Sequence, residues 1–217
     1  AIFVRDLSAA TTQLVSVTGG GQPAQESCGN PQISRTGAWV TFDCGWNGFS
    51  SIDSNGEWDA LLHGVDCGFP QAYGAPKLTS NGCLPNIAWT GEPLASLGGQ
   101  FMLHCTNAIN QKSGLMFYGF AGRASIPFQG GTLHVMPPTR RSPLLFSNGA
   151  LPPANDCSGR FVLDMDAFAA GASGGNPAPE LRVIGTLVNA QWWGRDPGHA
   201  APNDSLLSNA VEYTVRP

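Results

Sequence analysis

Charge is scarce in this chain. Only 12% of its 217 residues are Asp, Glu, Lys or Arg, and acids outnumber bases 15 to 11 for a net charge of -4. A phosphate-binding surface needs clustered Lys and Arg, whereas the one basic run here is Arg140-Arg141; nucleic acid is therefore not an expected partner. Long apolar runs are missing too. No stretch approaches the ~20 residues of a membrane-crossing helix, so no membrane span is expected. Helical periodicity is equally thin, because apolar residues nowhere keep a 3.6-residue spacing for more than about two turns. With Gly 28 and Pro 17, short strands joined by many turns are the expectation, and the chain is long enough for one full core or for a small and a larger unit.

Chemical signatures are sparse as well. No H-E-x-x-H motif and no G-x-S-x-G nucleophile elbow is expected. His63, His104, His134 and His199 are far apart in sequence with no carboxylate at a fixed spacing. Asp164 and Asp166 sit two apart on one strand face, a spacing more typical of solvated carboxylates than of an acid pair. A non-enzymatic protein is expected.

Six cysteines are present, Cys28, Cys44, Cys67, Cys83, Cys105 and Cys157, without a C-x-x-C pair. That spacing disfavours a zinc ribbon or a redox motif and favours disulfides, hence an oxidising, extracellular or cell-surface setting. The expected bonds are Cys28 with Cys44 and Cys83 with Cys105, each joining strands close in sequence. Cys67 and Cys157 remain as a third bond or as separate thiols. The chain opens at Ala1 without a charged and then apolar leader, so an exported form would have lost its signal or carry it in a longer precursor.

Within residues 1–72, AIFVRDL alternates as a half-buried strand and Gln13 to Val17 follows as a second. Gly19-Gly20-Gly21 and Pro23 mark a loop. Pro31 to Cys44 reads as a hairpin turning at Arg35-Thr36-Gly37, and Asp59 to His63 as a further strand. DALLHGVDCG lies over AIFVRDLSAA in pattern, a period of about 59 residues. The order P-x-I-S-x-x-G-x-x-V-x-F, D-x-N-G-x-x-D, and the IFVRDL and TTQLVSV strands resembles the TolB-type, WD-like propeller repeats of bacterial secreted proteins. The resemblance implies four-stranded blades, of which this stretch holds the last two strands of one and the first three of the next. A closed propeller needs about four blades or more, so an incomplete propeller-like antiparallel sheet with open edges is expected. Such edges are satisfied by the rest of a longer protein, by the larger domain, or by strands of a neighbouring copy. A homo-oligomer or a larger parent assembly is the partner this implies.

Asp53, Asn55 and Asp59 put oxygen ligands at alternate positions around Gly56, as a short calcium loop would, but no bidentate Glu follows at the expected spacing. An Asx-turn accounts for Asp53 and Asn55 without metal. Calcium is thus the one cofactor the sequence raises, and none is the default.

Residues 73–217 read as about eight short strands: 83–89, 100–106, a hairpin from Gly114 to Val135, 160–166 before one helical turn, 181–187, 188–193 and 210–215. Even spacing and a Trp on an inner strand suggest a two-sheet β-sandwich of the immunoglobulin-like kind. N-Q-K-x-G-L-x-F-Y-G, R-A-S-x-P-F-Q-G-G-T-L, N-D-C-S-G, N-A-Q-x-W-x-R-D-P and A-V-E-Y-T-V, in that order, resemble a carboxy-terminal module of large secreted proteins of planctomycetes and related bacteria. That resemblance implies an exported, multidomain setting and no activity, and places His134 and Arg216 where relatives carry cysteines.

Aromatic residues supply the functional expectation. Trp46, Phe49, Trp58, Trp192 and Trp193 exceed what the cores require. Adjacent Trp192 and Trp193 must face opposite sides of a strand, so one is core and the other is covered by a loop, a partner or a ligand, or by Arg195 as a cation–π pair. The sequence points to a structural or adhesive β-protein, self-assembling by strand complementation into a surface polymer or filament. The alternatives are a glycan-binding module using Trp58, Trp192 or Trp193, and an accessory region of a secreted hydrolase.

Overall fold

Strands build each of two units, Ala1–Cys67 and Gly68–Pro217. The computed structural model describes residues 1–7, 11–18, 22–34, 37, 39–49, 55–64 and 70–217. The protein is all-β, and among the described residues there is one short α-helix and no sheet closes on itself.

In the first unit β1 (Phe3–Asp6) and β2 (Thr11–Leu14) form a hairpin in which Phe3 faces Leu14 and Arg5 faces Thr12. A separate meander follows: β3 (Cys28–Ile33), β4 (Trp39–Cys44) and β5 (Asp59–Gly64). Strict alternation along β4 buries Val40, Phe42 and Cys44 and turns Trp39, Thr41 and Asp43 the other way. The buried set packs with Ile2 and Val15 of the hairpin end and with Val4, Cys28, Trp46, Phe49 and Leu61. Among the described residues β1 pairs only with β2, and β5 only with β4. Cys28 and Cys44, directly opposite in the β3–β4 register, are bonded as expected. Gly19 to Gly21, the turn residues Arg35 and Thr36, Asp53 and Cys67 lie outside the described residues.

The second unit is a sandwich. Its larger sheet runs β12 (Arg140–Arg141), β9 (Ser113–Gly119), β15 (Leu187–Arg195), β16 (Ser205–Thr214), β6 (Gln71–Tyr73), with β13 (Leu145–Phe146) also on β9. The smaller runs β14 (Gly159–Asp164), β8 (Met102–Ala108), β7 (Asn86–Thr90). Leu103, Cys105, Phe161 and Leu163 of the smaller sheet meet Met116, Tyr118, Ala190, Trp192, Val211 and Tyr213 of the larger in one core. The helix α1 (Met165–Ala169) follows β14, with the Asp164 side chain accepting the Ala167 N–H as its cap. A two-stranded hairpin, β10 (Arg123–Phe128) and β11 (Gly131–Val135), packs Leu133 and Val135 on Phe117.

Four expectations are corrected. The division falls after Cys67 and not after residue 72, because Gln71–Tyr73 pairs with β16 through Tyr73 opposite Ala210. Cys83 bonds Cys157, leaving Cys105 a buried free thiol. The β7–β8 register sets Cys105 opposite Ile87, four residues beyond Cys83, whereas Cys157 lies two residues before Gly159, which pairs with Ala108 at the end of β8. The stretch from Gly114 to Val135 is not one hairpin: β9 pairs with β15, β12 and β13, and the hairpin is β10–β11. Residues 181–187 are no strand either, since Pro179–Arg182 forms a 3-10 turn before β15 begins at Leu187.

Candidate functional site

The outward face of the β3–β4–β5 sheet exposes apolar surface. Trp39 pairs with Gly64, Thr41 with Leu62 and with Gln32, and Asp43 with Ala60 and Gly29. Trp39 is 51% exposed, Leu62 63% and neighbouring Ile33 58%. With Gln32, Ser34 and Thr41 these residues line a shallow depression of about 390 Å³, within the ~300–1,000 Å³ usual for ligand sites. Ser34 fixes the position of Trp39, its hydroxyl accepting the Trp39 N–H at 3.1 Å and its amide donating to the Trp39 carbonyl at 2.8 Å. The indole lies against Gly64, where a side chain's Cβ would stand 3.3 Å from the ring.

Trp58 occupies the same face at its other end. Its indole lies over Gly45, where a Cβ would be 3.1 Å from Nε1, and beside Gly29, at 3.9 Å. Gly29 is opposite Asp43 in register, which puts Trp58 on the Trp39 side, and it is 57% exposed. Between the two indoles the Asn30 amide donates to Asp43 Oδ2 at 2.9 Å. Trp58 was a sequence candidate; Trp39 was not. Its signal was there to read, since Trp39 shares strand parity with Thr41 and Asp43, and an aromatic on the polar side of a strand needs a reason.

The other candidates fall elsewhere. Trp192 is fully buried and stacks on Phe161 with centroids 5.5 Å apart. Trp193 is half-buried on the opposite face, its Nε1 donating to Gln129 Oε1 at 2.7 Å and the Arg195 guanidinium lying 5.8 Å from its ring. One is core and the other is covered within the chain, as the alternation demands. Trp46 and Phe49 meet edge to face at 5.1 Å in the first core. Of the calcium residues, Asp53 is outside the described residues, and Asn55 Oδ1 accepts the Glu57 N–H at 3.0 Å, closing an Asx-turn. Asp59 starts β5 opposite Cys44. Among the described residues no group of three or more His, Cys, Asp and Glu is placed to hold a metal.

Ionisable groups of the second unit are engaged in the fold. Asp164 caps α1 and Asp166 lies in its first turn, so the two do not share a strand face; Asp166 accepts the Phe101 N–H at 3.3 Å, and burial raises its carboxyl above its ordinary range. Buried Asp196 takes the Ser80 amide at 2.8 Å and the Ser80 hydroxyl, with His199 Nε2 3.6 Å away. In that order the hydroxyl gives its proton to the carboxylate and not to an imidazole, the reverse of a nucleophilic triad. The string GASGG at 171–175 fits G-x-S-x-G, yet it follows α1 in exposed turns, where the elbow requires a strand entering a helix. His104 bonds Arg160 through Nδ1 at 3.0 Å, and burial first, then Arg160, holds its pKa below the usual value. Tyr73 donates to the His134 carbonyl at 2.8 Å and accepts from Asn189, and burial pushes its phenol up to about 12. Lys77 donates to the carbonyls of Gln129, Asn203 and Ser205.

Two disulfides are formed, and among the described residues no helix is long and apolar enough to cross a membrane. Comparison with protein-family models, with curated proteins and with solved structures finds no match.

Proposed function

We propose that this protein is a non-enzymatic extracellular component that works by contact, as a structural or adhesive element whose N-terminal unit joins a second chain by strand addition. One observation carries the reading. The β1–β2 hairpin and the β3–β4–β5 meander are open sheets, and among the described residues no further strand pairs with the outer side of β1 or of β5. Open edges invite a strand from elsewhere, and a strand of a second copy completes either of them. Phe3 at 60% exposure and Leu62 at 63% set large apolar groups beside those edges. Engagement of Asp164, Asp166, Asp196 and His104 in caps and internal bonds supports a role without catalysis, and two disulfides support an oxidising location. Sedimentation velocity over a wide concentration range tests the assembly: discrete oligomers growing with concentration are expected. A chain that stays monomeric at the highest attainable concentration overturns it.

A further inference from the structure

We infer that the outward face of the β3–β4–β5 sheet binds an extended neutral polysaccharide, with Trp39 and Trp58 as stacking platforms. Three observations converge on that ligand. Both indoles are more than half exposed, and each lies over glycine, Trp39 on Gly64 and Trp58 on Gly45 and Gly29. Side chains at Gly64 and Gly45 would press on the rings, their Cβ atoms standing 3.3 Å and 3.1 Å away. Glycine instead lets each ring lie against the sheet, with its outer face free for the C–H face of a sugar ring. Second, the two platforms share one face and one line. Trp39 opens β4, Trp58 lies over Gly45 beyond its other end, and the six steps from residue 39 to residue 45 at ~3.3 Å each separate them by roughly 20 Å. That is a span for several sugar residues and not for one. Third, the surface between them sets neutral hydrogen-bonding groups, Gln32, Thr41 and the amide of Asn30, beside Leu62, and the Asp43 carboxylate there accepts from Asn30 at 2.9 Å. Apolar groups interspersed with hydroxyls and amides match a chain whose rings alternate apolar faces with hydroxyl edges. The scarcity of cationic side chains on this face, where none lines the depression, favours a neutral glycan over an acidic one.

The face can take such a ligand only if this unit works by contact, so the inference rests on that reading, and the experiment separates the two. Native gels cast with hydroxyethylcellulose, laminarin, xylan or pullulan are run with the wild-type chain, Trp39→Ala, Trp58→Ala and the control Phe3→Ala, while sedimentation velocity follows assembly of each. Retardation by at least one polysaccharide is expected, weakened roughly tenfold in each tryptophan variant and unchanged in Phe3→Ala. Trp39→Phe restores part of it, and far-UV dichroism reports that the variants are folded. If no polysaccharide retards the wild-type chain and both tryptophan variants lose self-association, a second copy covers this face: the inference fails and the contact reading stands. If nothing retards the chain and it is monomeric throughout, both fail.

Discussion

Removing the Cys83–Cys157 bond is expected to destabilise the second unit more than removing Cys28–Cys44 destabilises the first. The bonds close stretches of different length, with sequence separations of 74 and 16. In the chain-entropy account a cross-link removes about 2.1 + 1.5R ln n cal/mol/K from the unfolded ensemble. For rings of these sizes that is roughly 4.5 kcal/mol at 25 °C for Cys83–Cys157 and roughly 3 kcal/mol for Cys28–Cys44. Had Cys83 joined Cys105, the shorter ring would give roughly 3.4 kcal/mol. These are upper figures, since compact unfolded chains already lack part of that entropy. The clean perturbation is Cys83→Ala with Cys157→Ala, which leaves neither half of the bond behind as a new thiol, compared with Cys105→Ala alone. Cys105 is buried opposite Ile87 and takes part in no disulfide, so its replacement removes one sulfur from the core and costs about 1 kcal/mol. Urea unfolding of each variant, with non-reducing peptide mapping to confirm the linkage, supplies the assay. A map showing Cys83 joined to Cys105, or a double variant no less stable than Cys105→Ala, refutes the reasoning.

Three further outcomes follow from the same packing. Glu212 is held below its ordinary value of 4.5, first by the hydrogen bond from Arg123 and then by Asn189, against burial. A depressed folded value means its stabilisation is present above pH ~4.5 and lost as pH falls through the lower value; Glu212→Gln flattens the acid limb of a melting-temperature profile, by less than ~1 kcal/mol because the Arg123 partner is largely exposed. Gly159→Ala places a Cβ 2.4 Å from the Ile109 carbonyl oxygen and 2.7 Å from that of Ala108; backbone cannot step aside, and a loss above ~2 kcal/mol is expected in thermal unfolding, an unchanged melt counting against this close approach. Lys77→Met orphans three carbonyls now served by one ammonium and costs about 2–3 kcal/mol, where Lys77→Arg recovers part; equal stability of the Met variant would show those carbonyls need no donor.

Much of the fold was legible because alternation writes itself into strands. Trp39–Cys44 and Gly159–Asp164 bury every second residue, and the Trp192–Trp193 split followed from the two-residue period alone. What failed was long-range pairing. Cys83 and Cys105 are the nearer pair in sequence, but register depends on which residues face each other across β7 and β8, and no local pattern announces that offset. Leu115–Tyr118 and Leu133–Val135 do approach, in the Phe117–Leu133–Val135 cluster, yet contact between layers is not pairing within one, and composition does not separate the two. Residues 181–187 read as a strand from Leu, Val and Ile, while Pro179 sets the backbone into a 3-10 turn. The platform was half legible: Trp58 stood out as an unassigned aromatic, but Gly64, Gly45 and Gly29 gain their meaning only when a neighbouring strand brings an indole over them.

The pairing of β6 with β16 has a consequence for biosynthesis. Among the described residues the earliest strand of the second unit, Gln71–Tyr73, has Ser205–Thr214 as its one sheet neighbour. A ribosome must therefore release nearly the whole of that unit before its opening strand has anywhere to dock. Until then Tyr73 and its neighbours wait unpaired, the situation in which non-local β-proteins form slowly and depend on protection from aggregation. Truncating the nascent chain before residue 205 would orphan both the first strand and the middle of the sheet, so this unit is made as a whole or not at all.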